Sequence, residues 1–123
     1  AKRITVPVSL DFMQVSSYGD ATESSGIVRI KKDLDDTMEN KEVIIVEDII
    51  DSGRSMKHLL EYLHAKNPKQ VIVATLFHKP KAAVCQVPIA YKGIELENDF
   101  VVGRGLDYDG LGRNYPDLYI LNA

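Results

Sequence analysis

Apolar side chains at Ile4, Val6, Val8, Leu10 and Phe12 alternate with Arg3, Thr5, Pro7, Ser9 and Asp11, the period of two of one half-buried strand or two short ones in succession. Pro7 has no amide for a ladder, which moves this segment to an edge. Residues 16–26 lose all periodicity and are rich in small polar side chains, the character of a mobile loop. A strand is expected over 27–31 and a polar connection over 33–41. Val43, Ile44, Ile45 and Val46 then form an unbroken β-branched run, which suits a strand buried on both faces of a parallel sheet.

The period changes after residue 55. Met56, Leu59, Leu60 and Leu63 fall at i, i+3, i+4 and i+7, one apolar stripe with His58, Glu61, His64 and Lys66 off it, so a helix is expected there until Asn67-Pro68 stops it. A second buried run follows at 71–77. Residues 43–77 therefore read as strand, helix, strand with a right-handed crossover between parallel strands. Shorter strands are expected at 91–96, 100–103 and 118–121. The fold class is α/β, a Rossmann-like parallel sheet with flanking helices, in a single domain over 1–123.

Composition narrows the chemistry. The 123 residues include 15 Lys and Arg against 18 Asp and Glu, a net charge of −3 that argues against nucleic acid or an anionic membrane as partner. No apolar run approaches the ~20 residues that span a bilayer. The opening Ala1-Lys2-Arg3-Ile4-Thr5 has no signal-peptide core, and Cys85 is the lone cysteine, so a reducing cytoplasmic setting is expected. Val84, Gln86 and Val87 give Cys85 no basic partner, and a small buried side chain is its ordinary role. His58, His64 and His78 lack metal-ligand spacing and read as surface or helix-face residues.

Ligands of an open parallel sheet bind beyond the carboxyl ends of its strands. After Val46 comes Glu47-Asp48-Ile49-Ile50-Asp51-Ser52-Gly53-Arg54-Ser55, then the helix. Three carboxylates so close together repel one another and need cations, donors or solvent. The bland account is a solvated charge run, which is unusual directly after a buried strand. Gly53 permits a tight turn, Ser52 and Ser55 carry hydroxyls, and the amides opening the helix can hold a phosphate, although an ordinary N-cap has the same look. An acidic pair beside a phosphate turn suggests a sugar phosphate, with carboxylates accepting from vicinal hydroxyls.

The stretch Val43-Ile44-Ile45-Val46-Glu47-Asp48-Ile49-Ile50-Asp51-Ser52-Gly53-Arg54-Ser55 resembles the phosphoribosyl pyrophosphate (PRPP) signature of the type I phosphoribosyltransferases. Within that family, Ser16-Ser17-Tyr18-Gly19 resembles the mobile catalytic loop of the hypoxanthine-guanine enzymes. Phe100-Val101-Val102-Gly103-Arg104-Gly105-Leu106-Asp107-Tyr108 resembles their base-binding segment, and Phe77-His78-Lys79 adds a further match in order. The resemblance implies transfer of the 5-phosphoribosyl group of PRPP to N9 of a 6-oxopurine (hypoxanthine, guanine or xanthine), in a purine-salvage homo-oligomer, dimer or tetramer, that uses Mg²⁺.

It also implies roles. Glu47 and Asp48 would hold the ribose hydroxyls, and Asp51, Ser52, Gly53, Arg54 and Ser55 the 5′-phosphate, Arg54 standing at a variable position of the signature. Asp51 would exchange a proton with N7 of the purine. Ile49, Lys79, Phe100, Val101 and Asp107 would bind the base, Lys79 through the 6-oxo group, Phe100 by stacking and Val101 by its backbone. Without the resemblance, Lys79 reads as a solvated lysine and Phe100 as a core residue. Glu47, Asp48 and Asp107 would attend Mg²⁺. Arg113 would grip pyrophosphate, and Ser17 and Tyr18 would close over the site.

Two departures stand out. The strand, helix and Leu-Lys-Gly pyrophosphate loop that precede this region in the family have no counterpart, and Ala1 opens without an initiator Met. The N-terminal part is therefore expected to be absent and the chain alone impaired in catalysis. Arg104 stands where the family often has an aromatic residue, and reads as an interface residue or a solvated charge. The alternatives are a non-catalytic PRPP- or nucleotide-binding regulatory domain, an inactive fragment of the enzyme, or a Mg²⁺-dependent phosphoacceptor domain. The last assigns nothing to Gly53, Ser55, Ser17 or Tyr18.

Overall fold

A computed structural model describes residues 1–17 and 28–122, so Tyr18 and Gly19 of the expected catalytic loop lie outside the described residues. The chain forms two compact units, one of Ala1–Val43 and Arg54–Val71, the other of Ile44–Gly53 and Ile72–Ala123.

In the first unit, strand β1 (Gln14–Ser17) pairs antiparallel with β2 (Val28–Lys32), with an irregularity in register between Gln14 and Val15. Helix α1 (Arg54–His64) packs on both strands and buries Met56, Leu59, Leu60 and Leu63, the stripe its sequence spacing predicts. Tyr62 donates to the carboxylate of Asp33, whose pKa is lowered chiefly by that bond. The helix closes at His64, ahead of Asn67, which takes a left-handed φ of 56°.

The alternating segment 4–12 behaves otherwise than its pattern predicts. It has no regular strand, and Ile4, Val6, Val8, Leu10 and Phe12 are all exposed. Alternation defines two faces, but a strand also needs a hydrogen-bonded edge beside it, and none among the described residues pairs with 4–12. Asp11 anchors its end by accepting from the amides of Asp35 and Asp36 at 2.9 and 3.0 Å.

The second unit is built on a three-stranded sheet in the order β3 (Glu42–Ile50), β4 (Gln70–His78), β5 (Tyr91–Glu95). The amide of Lys69 donates to Lys41 where β3 and β4 begin and that of Lys79 to Ile50 where they end, so the two run parallel. β4 and β5 are parallel too, with Ala74 opposite Tyr91 and Phe77 opposite Ile94. One face of β4 supplies the core, Val73, Thr75 and Phe77, joined in burial by Ile50, Val101 and Val102.

β3 departs from expectation in two ways. It extends through Glu47 and Asp48 to Ile50, so the acids stand on the strand rather than after it. It also lies at a sheet edge among the described residues and alternates in exposure, with Ile44 at 55% and Val46 at 82%.

Beyond the sheet, β6 (Val101–Val102) pairs antiparallel with β7 (Tyr119–Ile120). Between them the chain makes two tight reversals, bridged from Gly103 to Leu106 and from Tyr108 to Leu111. Their central residues all have positive φ, 50° and 95° at Arg104 and Gly105, 51° and 78° at Asp109 and Gly110, the geometry of type I′ turns. Arg104 therefore acts first as a turn residue, and its Nη1 donates to the Pro116 carbonyl at 3.2 Å.

Candidate active site

The carboxyl end of β3 delivers Glu47, Asp48 and Asp51 in succession. Glu47 is half-buried and Asp48 exposed, as adjacent residues of a strand should be. The pKa of Glu47 is raised to about 7, first by burial, then by its side-chain hydrogen bond with Asp48 and the negative charge there. Asp48 accepts from the amide of Ile49 at 2.8 Å, which fixes one carboxylate oxygen against the backbone.

Asp51 begins the turn. Its Oδ2 accepts from Nζ of Lys79 at 3.3 Å, and Lys79 is only 5% exposed. The solvated-lysine reading thus fails in the structure: the side chain follows directly on the buried end of β4 and reaches the turn after β3. Gly53 takes φ 82°, which a side chain rarely adopts. A Cβ there would also lie 2.7 Å from the carbonyl oxygen of Cys85. A cavity of about 120 Å³ adjoins the turn, lined among others by Asp51, Gly53, His78 and Cys85. Nδ1 of His78 is buried without a partner among the described residues, against the surface role its sequence suggests. Arg54 and Ser55 open α1 in the first unit.

The segment after β6 brings together a second group. Asp107 accepts from the Gly110 amide at 2.8 Å and pairs with Arg113 at 3.0 Å, while Nη1 of Arg113 donates to the Gly105 carbonyl at 2.7 Å. These bonds hold both reversals in shape. Val101 is buried, but Phe100 is 50% exposed, so the core reading applies to the valine and not to the aromatic ring. Phe100 meets Tyr108 edge to face at 5.8 Å between centroids. Tyr108 closes the segment that resembles the base-binding one without a role of its own there, and the fold brings it against Phe100. Ser17 ends β1 in the first unit.

Among the described residues no three His, Cys, Asp or Glu side chains converge as a ready-made metal centre. Mg²⁺ does not require one, since it commonly takes one or two carboxylates and completes its shell with water and substrate oxygens. Glu47 and Asp48 fit that demand, two neighbouring oxygen donors at the end of one strand, Glu47 half-buried and Asp48 exposed. Asp107 is already engaged by Gly110 and Arg113, and a cation would compete with that pair. Among the described residues no helix is long and apolar enough to cross a membrane.

The end of a parallel strand thus carries an acidic pair and a glycine turn, with a lysine just past the end of the neighbouring strand reaching it, at the place where open α/β sheets bind ligands. Comparison with known proteins carries this further. A sequence profile described as the phosphoribosyl transferase domain matches residues 1–109. Hypoxanthine-guanine phosphoribosyltransferase of Mycobacterium bovis is 50% identical over 118 residues, 96% of this chain and 57% of its own length. That of Staphylococcus epidermidis is 43% identical over 122 residues, 99% of this chain and 68% of its own. A hypoxanthine phosphoribosyltransferase crystal structure from Staphylococcus aureus superposes with a TM-score of 0.93 at 42% identity, covering 98% of this chain and 66% of that one. The chain belongs to the phosphoribosyl transferase domain family and, within it, to the hypoxanthine-guanine phosphoribosyltransferases. It spans 57% of the length of the mycobacterial relatives it matches.

Proposed function

We infer that this chain carries the core of a purine-salvage enzyme that moves the 5-phosphoribosyl group of PRPP to N9 of a 6-oxopurine, releasing pyrophosphate. The observation that carries the reading is the buried Lys79 reaching Asp51 across the ends of two parallel strands. That arrangement sets a cation and a carboxylate side by side, the pair needed to polarise a 6-oxo group and to take the proton from N7 of the same ring.

Glu47 and Asp48 accept from the ribose hydroxyls, and the turn from Asp51 to Ser55, Arg54 included, holds the 5′-phosphate with its amides and hydroxyls. Phe100 stacks on the purine, the Val101 backbone meets its edge, and Ile49 supplies apolar contact. N9 attacks C1′, the bond from C1′ to pyrophosphate oxygen breaks with its electron pair, and the N7 proton passes to Asp51. Arg113 and Asp107 serve pyrophosphate, Asp107 also serving the base. Glu47 and Asp48, with Asp107 near, would hold Mg²⁺, which when bound would supply positive charge against that of pyrophosphate. The assembly is a homo-oligomer.

The test is formation of IMP, GMP or XMP from PRPP, Mg²⁺ and each base, by this chain and by the protein at its full natural length. Nucleotide from the full-length protein supports the reading. PRPP binding without turnover favours a regulatory domain, and neither binding nor turnover ends the proposal.

A further inference from the structure

The turn after β3 is held from outside. The carbonyl of Ser52 accepts from two amides of a distant segment, Val84 at 2.9 Å and Cys85 at 3.1 Å. Next along the chain, Gly53 approaches the same segment so closely that a Cβ would lie 2.7 Å from the Cys85 carbonyl oxygen. Backbone meets backbone on both counts.

The segment is itself stiff. It leaves β4 at Lys79, whose amide donates to Ile50 at 3.1 Å, and passes through the 3₁₀ turn Pro80–Ala82. Ala82 donates to Lys79 at 3.1 Å and Ala83 to Pro80 at 3.3 Å. Between its anchor at Ile50 and its anchor at Ser52 the connection is short and internally bonded.

A trans peptide holds its C=O and N–H in one plane, pointing in opposite directions across the C–N bond. No peptide of the described chain is cis, so pinning the Ser52 oxygen aims the Gly53 N–H away from the strap, on the opposite side of the turn. We propose that the backbone of Val84 and Cys85 is a positioning element for the 5′-phosphate, fixing the direction of the Gly53 amide before the ligand arrives. Preorganised donors bind an anion without a reorganisation cost at the moment of binding. This role rests on the reading of the turn as the phosphate holder.

Val84 offers a clean test because its side chain is 62% exposed, which leaves its amide as the group at issue. Ala83 has φ −62° and ψ 121°, a conformation that a following proline accepts. In the full-length protein, V84P deletes one strap bond while V84A keeps it. V84P should raise the KM for PRPP, and the calorimetric Kd for PRPP with Mg²⁺, about tenfold or more, with the KM for the base changed less than about threefold, because a misdirected Gly53 amide forfeits its hydrogen bond to the charged phosphate. V84A should keep the parental values.

Equal PRPP affinity in V84P and the parent overturns the strap while leaving the enzyme reading intact. A parent that binds no PRPP removes both. Should V84P fail to fold, amide hydrogen exchange in the parent decides: protection of Val84 and Cys85 already present without PRPP and raised by it supports the strap, and unprotected exchange, or protection that PRPP leaves unchanged, refutes it.

Discussion

Nζ of Lys79 stands 3.3 Å from Oδ2 of Asp51, and the two ends of this ion pair have opposite surroundings, the lysine side chain 6% exposed and the carboxylate 56%. The ammonium depends on the carboxylate far more than the reverse, because water can solvate Asp51 when its partner is gone. The carboxylate thus stays open to a ligand, with the lysine held beside it.

That asymmetry predicts unequal costs. Asp51→Asn leaves a buried ammonium without its counter-charge and should lower stability by ~1–3 kcal/mol. Lys79→Met replaces the buried charge with an apolar chain of similar length and should be near neutral in stability. Urea unfolding of the two variants checks this, and equal losses would mean that burial of Lys79 is not what governs the pair.

The same two residues should separate in catalysis. Lys79→Met removes a donor to the 6-oxo group, so the KM for the base should rise about tenfold or more with the KM for PRPP little changed. Steady-state assays varying one substrate at a time read the difference.

Glu47 predicts a pH effect on stability. Its folded pKa of about 7 lies above the ordinary 4.5, so the folded chain binds more protons in that window. The contribution is fully present below the ordinary value and is lost as pH rises through about 7. Glu47→Gln, neutral throughout, should therefore be more stable than the parent at about pH 8 and close to it at about pH 4.5. One pKa unit is ~1.4 kcal/mol, and partial solvent access screens the gain to ~1–2 kcal/mol. Urea midpoints at the two pH values measure it.

Gly53→Ala meets two obstacles, a φ of 82° and the Cys85 carbonyl oxygen 2.7 Å from the new Cβ. Left-handed strain alone costs ~1–2 kcal/mol, so the variant should lose at least that much stability, visible as a lower unfolding midpoint.

How far the sequence foretold this structure follows from what a pattern of side chains can encode. The stripe from Met56 to Leu63 and the apolar run of β4 were legible because each records burial directly, at its own period. The run at 43–46 located β3 but not its end, since a ladder is a property of the backbone and Glu47 and Asp48 stay in it at no cost to hydrogen bonding. Alternation at 4–12 described faces without supplying a neighbouring edge. Lys79 defied its residue type, and only its position one residue past the β4 strand, which ends at His78, hinted at burial. The bonds from Val84 and Cys85 to Ser52 left no trace in side-chain identity, being made by the main chain. The sugar-binding role of Glu47 and Asp48 was suggested by their place beside the glycine turn, the roles of Asp51 and Phe100 toward the purine came from the resemblance, and the geometry adds the neighbours of these side chains.

The central claim is that Asp51 takes the purine proton beside Lys79 while the neighbouring turn holds PRPP. The most direct measurement is single-turnover formation of IMP and pyrophosphate from hypoxanthine, PRPP and Mg²⁺ by the full-length protein and its D51N variant, with the PRPP Kd of each. The account predicts the two products in equal amounts from the parent, a rate about 10²-fold or more lower in D51N, and PRPP affinity within a few-fold of the parent. An unchanged rate in D51N, or pyrophosphate released without nucleotide, would contradict it.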